Sequence, residues 1–114
     1  MTTATPTLRH RDTGLQRPVE RLATRWQLTR GAIARGVGSG LWFDFETVGW
    51  RPLHMVGVGQ PLVAVWLVNG TVTKAQRLRA WVGAGVAEAT DVVELPAECE
   101  LARRVTAGDK VVVA

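Results

Sequence analysis

From Leu41 onward the chain is patterned with a period of two. Leu41, Phe43 and Phe45 face one way while Trp42, Asp44 and Glu46 face the other, which predicts a half-buried strand of about seven residues. Arg51-Pro52 is expected to interrupt it, because proline brings no N–H to a strand ladder. A second apolar stretch covers residues 53–58, and a third covers Leu62 to Val68. Asn69-Gly70 then separates that run from Thr71-Val72-Thr73. An Asn-Gly pair between two β-prone runs predicts a hairpin, since both turn residues must accept positive φ. Leu78, Ala80 and Val82 alternate with Arg77, Arg79 and Trp81, which predicts a strand with a basic outer face. Glycines at 83 and 85 turn the chain, and residues 86–95 resume extended structure. Residues 96–104 read either as a helix, with Glu98 and Glu100 early and Arg103 and Arg104 late to suit the helix dipole, or as a loop. Ala107-Gly108-Asp109 predicts a tight turn into a last strand over residues 110–113.

Ahead of this body the pattern is weaker. Residues 1–17 hold Thr, Pro, Arg and Gly with few apolar anchors, so they are expected to form a flexible basic arm that orders only on a neighbour. Residues 18–40 carry Val19, Leu22, Trp26 and Ile33 at helical spacing behind Pro18, which suits a short helix. The alternation of Trp26 and Leu28 with Arg25, Gln27 and Thr29 leaves a strand open. Glycines at 36, 38 and 40 mark a hinge, and residues 41–114 form the body. The expected fold is mostly β: a small β-barrel or β-sandwich with an extended N-terminal arm and one or two short helices.

Composition sharpens this picture. With 114 residues the chain has room for one modest core, and 12 Gly with 5 Pro suit turns between short strands. Seven arginines stand against two acids over the first 40 residues, whereas the remainder carries seven basic and eight acidic groups. A basic segment on a near-neutral body points to an acidic partner surface, protein or nucleic acid. The longest apolar run is far below the roughly 20 residues that cross a bilayer, and no apolar signal core follows the first charges. Neither secretion nor membrane insertion is expected.

The catalytic inventory is thin. There is no tyrosine and a single cysteine, Cys99, with no redox or papain-like signature around it. His10 and His54 have no evident partner arrangement, and no Cys/His cluster is spaced to hold a metal. Asp44 and Glu46 pair on one strand face, but a solvated face is the ordinary reading, as it is for the acidic run Glu88, Asp91, Glu94, Glu98 and Glu100. Residues 36–40 lack the Gly-Lys-Ser/Thr ending of a phosphate loop and lead into a strand. No enzyme, cofactor or metal is therefore expected. Of five tryptophans, Trp66 reads as core. Trp42 and Trp81 fall opposite the apparent cores of their strands, as interface anchors or as platforms that stack bases beside Arg77 and Arg79. Candidate partner-binding residues are Arg9, Arg11, Arg17, Arg21, Arg25, Trp42, Arg77, Arg79 and Trp81.

The segment Val92-Val93-Glu94-Leu95-Pro96-Ala97-Glu98, followed by Ala107-Gly108-Asp109-Lys110-Val111, resembles the closing part of small tailed-phage capsid decoration proteins. Gly59-Gln60-Pro61-Leu62-Val63 and Gly85-Val86-Ala87 resemble their earlier strands. The match covers the last 55 residues or so; it lacks the family's aromatic after the Gly-Asp turn, and the Arg-rich N-terminus has no counterpart. The resemblance implies a virion structural protein on the capsid surface, binding the major capsid protein or other virion subunits as a homo-oligomer, a trimer by analogy. The alternative is a nucleic-acid-binding β-barrel that uses the arm arginines and exposed tryptophans.

Overall fold

The computed structural model describes residues 6–22 and 40–114. Seven strands form one sheet curled into a half-barrel. In chain order they are β1 (Thr7–His10), β2 (Gln16–Leu22), β3 (Gly40–His54), β4 (Leu62–Val68), β5 (Thr71–Leu78), β6 (Ala84–Pro96) and β7 (Val111–Val113), with one short helix, α1 (Glu100–Arg104), before β7. Their order across the sheet is β5-β4-β6-β3-β2-β1-β7. Every described pairing is antiparallel except that of β2 with β3.

β4 organises the packing because it is apolar on both faces. Leu62, Ala64 and Trp66 enter one core, which also holds Phe43, Leu53, Met55, Leu78 and Val92. Val63, Val65 and Leu67 enter a second, with Leu8, Val19, Val93, Leu95, Leu101 and Val111. A strand buried on both sides reads as a continuous apolar run rather than an alternating one, which is how residues 62–68 read. The β4–β5 hairpin turns on Asn69 (φ 48°) and Gly70 (φ 84°), the primed geometry expected of Asn-Gly. Glycine is needed at 70 for a second reason: a Cβ there would lie 3.0 Å from the Val111 carbonyl oxygen.

β3 and β6 are long enough to serve both cores. Between Asp44 and Gly49 their register shifts, with Glu46 at φ 69°. The Arg51 guanidinium sits 4.2 Å from the Phe45 ring centroid and donates to the Thr47 carbonyl at 2.7 Å, bracing the bulge. Beyond it, residues 49–54 and 84–89 form a distal ribbon over the Trp66 face. Trp66 Nε1 donates to the Arg51 carbonyl at 2.8 Å. From β5, Thr73, Lys74 and Gln76 donate side-chain hydrogen bonds to the carbonyls of Glu88, Val86 and Ala84.

That arrangement explains why Pro52 does not interrupt β3. The Val86 carbonyl points toward β5, so the Pro52↔Val86 pair is one of the pairs that exchange no main-chain bonds, and no proline N–H is required.

Several expectations are corrected. Residues 7–10 and 16–22 are strands with Leu8, Val19 and Leu22 buried, so residues 6–17 are part of the sheet and not a free arm, and residues 18–22 are strand rather than helix. The remainder of the expected helix, with Arg25 and Trp26, and the glycines at 36 and 38 lie outside the described residues. The strand expected around Leu78, Ala80 and Val82 stops at Leu78: residues 79–83 form a turn with Trp81 at φ 67°. The acidic run is not one surface, since Glu94 is fully buried.

The far edges of the sheet meet. Val72 N–H donates to the Asp109 carbonyl at 2.9 Å, Gly108 N–H to the Val72 carbonyl at 2.8 Å and Val111 N–H to the Gly70 carbonyl at 2.8 Å, so the turn before β7 closes against the β4–β5 hairpin. Asp109 secures that turn: its Oδ2 accepts from the Thr106 amide at 3.0 Å and from His10 Nε2 at 2.7 Å. An ionised carboxylate only accepts, so Nε2 carries the ring proton. Nδ1 is 2.7 Å from Thr13 Oγ1, accepting from that hydroxyl when the ring is neutral, and the same oxygen takes the Leu15 amide at 3.2 Å. His10 therefore has partners after all, in a turn and a strand far from each other in sequence. These donors, His10 first and Thr106 second, hold Asp109 below its ordinary value of 3.8. A depressed carboxyl stabilises the fold above its unfolded value, and that contribution is lost as pH falls through the folded value. Asp109→Asn is accordingly expected to lower the thermal midpoint at pH 7 and to remove part of the wild-type decline below about pH 4, as read by melting curves from pH 2 to 7.

Candidate binding surface

In the distal ribbon the alternation of faces is regular, but its chemistry is inverted on the outside. Leu53, Met55, Ala87 and Ala89 point into the core. The outward positions between them are Trp50, Pro52, His54 and Val56 on one side and Ala84, Val86 and Glu88 on the other, all exposed. Trp50 lies opposite Glu88, and Pro52 opposite Val86, so Trp50 and Val86 are diagonal neighbours on one face. At the ribbon's tip the 55–58 loop and the 79–83 turn are joined by Met55 N–H to the Gly83 carbonyl and Trp81 N–H to the Val58 carbonyl, both 2.9 Å. Five of the seven large apolar residues that the described part exposes are here, Trp50 (66%), Val56, Trp81 (60%), Val82 (72%) and Val86, and a sixth, Val48, adjoins the ribbon in the bulge.

Trp81 is held in an unusual way. A bulky residue at positive φ is strained, yet main-chain bonds on both sides fix it there: Val82 N–H to the Ala80 carbonyl and Gly83 N–H to the Arg79 carbonyl. Its ring lies across Gly59, where a Cβ would sit 2.9 Å from the indole. The strain keeps an indole on the tip instead of folding it inward.

The other expected site residues fall into separate places. Arg77 and Arg79 are exposed near the tip, and Arg77 is 4.0 Å from Glu98. Arg9 and Arg11 are exposed on β1 and the turn after it, and Arg17 is half-buried on β2. Trp42 is half-buried against the second core rather than displayed. Its Nε1 donates to Asp91 Oδ2 at 3.0 Å, while Arg21 lies 5.5 Å above its ring and 3.5 Å from Asp44 Oδ2. Thr90 Oγ1 contacts the other Asp91 oxygen at 2.6 Å. These acids, with Glu46, Asn69 and residues 111–113, line a cleft of about 410 Å³.

The structure is shared with known proteins. No family model matches the chain, and no curated protein matches it. Two solved structures do: "a putative transcription regulator (R01717)" from Sinorhizobium meliloti 1021, with TM-score 0.77 and 20% identity over 99% of this chain and 96% of that one, and a protein of unknown function from Novosphingobium aromaticivorans DSM 12444, with TM-score 0.73 and 20% identity over 95% and 83%. At that identity the likeness establishes the fold alone.

Val56 and Val86 were missed as candidates because residues 53–58 and 86–95 read as ordinary apolar strands, Val82 because it reads as the inward face of a strand with Leu78 and Ala80, and Trp50 because Arg51-Pro52 was expected to interrupt the strand beside it. The signal was available in one place: once Leu53 is set inward, Trp50, Pro52 and Val56 do not alternate as a solvated face should. The two classes of tryptophan should separate in urea unfolding. Trp66→Ala is expected to cost about 3–5 kcal/mol, whereas Trp50→Ser stays within about 0.5 kcal/mol and Trp81→Gly, which relieves the strained φ, within about 1 kcal/mol of wild type.

Proposed function

We propose that the chain is a non-enzymatic binding module that docks another protein on the outer face of the distal ribbon. The observation that carries this reading is the exposure of Trp50, Val56, Trp81, Val82 and Val86 on one ribbon and its tip, with Val48 in the adjoining bulge. Large apolar side chains concentrated in one region in this way are uncommon on a surface that faces only water. Aromatic anchors with a polar rim are the usual composition of a protein interface, and here Arg79, His54 and Glu88 supply the rim. Four valines beside two indoles favour a protein partner over nucleobases, which stack on rings and need phosphate-binding charge along the same track.

The narrower expectation, capsid decoration, rests on the resemblance over residues 92–98 and 107–111. The N-terminal segment expected to act as a basic arm has no counterpart in that family, and it forms strands over Thr7–His10 and Gln16–Leu22, so capsid attachment would have to use the ribbon as well. Nucleic-acid binding is the competing form, through Arg77, Arg79 and Trp81.

Placing a photo-crosslinking benzoylphenylalanine at position 82, with position 104 on α1 as control, tests the reading in the cell of origin. The expected result is a discrete protein adduct from 82, of partner mass or twice the chain's own, and none from 104. No protein adduct from 82, or adducts to DNA or RNA instead, would overturn it. Adding Trp50→Ala should reduce the adduct at 82 sharply, because an indole at an interface centre contributes about 2 kcal/mol or more.

A further inference from the structure

Three ligand-bearing side chains converge at the seam where the sheet closes. His10, Asp12 and Asp109 each offer a nitrogen or oxygen within 4.8 Å of those of the other two. We propose that this trio binds a divalent transition-metal ion, with Zn²⁺ the best match, and that the bound ion locks the seam.

The donor set carries the argument. One imidazole and two carboxylates give a mixed N/O site of three protein ligands, leaving water to complete the shell. The imidazole favours Zn²⁺ over Mg²⁺ or Ca²⁺, which take oxygen almost exclusively. The geometry is close to what such an ion needs. With Zn–N and Zn–O bonds of about 2.0–2.2 Å in a tetrahedral shell, ligand atoms lie roughly 3.3–3.6 Å apart, and His10 Nε2 and Asp109 Oδ2 are 2.7 Å apart. An opening of somewhat under about one ångström between these two atoms, with Asp12 drawn in from within 4.8 Å, admits the ion.

The surroundings fit as well. On binding, the ring proton moves from Nε2 to Nδ1, which then donates to Thr13 Oγ1, already 2.7 Å away. That is the outer hydrogen bond that orients a metal-bound histidine. Thr13 Oγ1 has a second lone pair for the Leu15 amide, and its hydroxyl proton, no longer taken by Nδ1, turns to water at this exposed residue. Among the described residues no lysine or arginine pairs with Asp12 or Asp109: of their two basic neighbours in sequence, Arg11 is exposed on the turn and Lys110 directs its ammonium to Thr71 Oγ1 at 2.6 Å. The two carboxylates thus share a place that a cation would neutralise, and exposed Asp12 leaves the ion a way in.

Asp12 also makes the test clean. Because it is exposed and takes no part in the main-chain closure, Asp12→Asn should fold normally, whereas substitutions at His10 or Asp109 disturb the seam itself. The full chain, stripped with chelator, is titrated with Zn²⁺ and with Mg²⁺ by calorimetry and by thermal melting. Zn²⁺ should bind one per chain and raise the melting temperature, Mg²⁺ should do neither, and Asp12→Asn should weaken Zn²⁺ by at least about tenfold. Cys99→Ser should bind as wild type does. Absence of Zn²⁺ binding, unchanged affinity in Asp12→Asn, or loss of binding in Cys99→Ser would each overturn the proposal.

Discussion

The fold depends on the turn at residues 106–109, because that is where the two edges of the sheet are brought together. An open seven-stranded sheet would leave β5 and β7 with unpaired main-chain groups, an invitation to pair with other chains. Closing it requires a turn at one fixed place, and Asp109 supplies it by accepting from the Thr106 amide within the turn and from His10 across it. The same residue's carbonyl takes the Val72 N–H, so a single residue, through its side chain and its main chain, links β1, the turn before β7 and the β4–β5 hairpin. The second core fills the space so enclosed, with Leu8, Val19, Val111 and Leu101 packed against Val63, Val65 and Leu67.

At the other end the constraint is different. The distal ribbon covers Trp66 without a continuous ladder to β5; side chains of Thr73, Lys74 and Gln76 stand in for strand pairing along the β6 edge. The outward face of that ribbon is apolar, and its tip holds Trp81 in a strained conformation. A chain under selection only to fold would have polar residues there and glycine at the strained turn position. Those two departures are why the ribbon, and not the cleft lined by Asp44 and Asp91, is proposed as the partner-binding surface. In the cleft the polar groups already serve one another: Asp91 takes the Trp42 indole N–H, and Asp44 takes the Glu46 amide and meets Arg21.

The sequence was legible where local chemistry decides structure. Asn69-Gly70 admits hardly any other reading, Leu62 to Val68 is too short and too apolar to be anything but a buried strand or core segment, and Ala107-Gly108-Asp109 does turn the chain into β7. It was not legible where distant residues decide. Leu8 and Val19 look like poor anchors alone and become core only through β7 and α1. Pro52 looks like a breaker until β5 claims the opposite carbonyl. His10 and Asp109 are 99 positions apart, so no spacing rule could join them. Trp42 and Trp81 sit at outward positions of their apparent strands, yet one is drawn into the second core by Asp91 and the other is displayed by a turn.

Hydrogen exchange tests the closure most directly, because the closing bonds belong to particular amides. Val72, Gly108 and Val111 should exchange as slowly as the amides of β4, and all three should lose protection together in Asp109→Asn while β4 retains most of its own. If these three amides exchange rapidly in the wild-type chain while β3 and β6 remain protected, the sheet is open at this seam and the account of how the fold is closed is wrong.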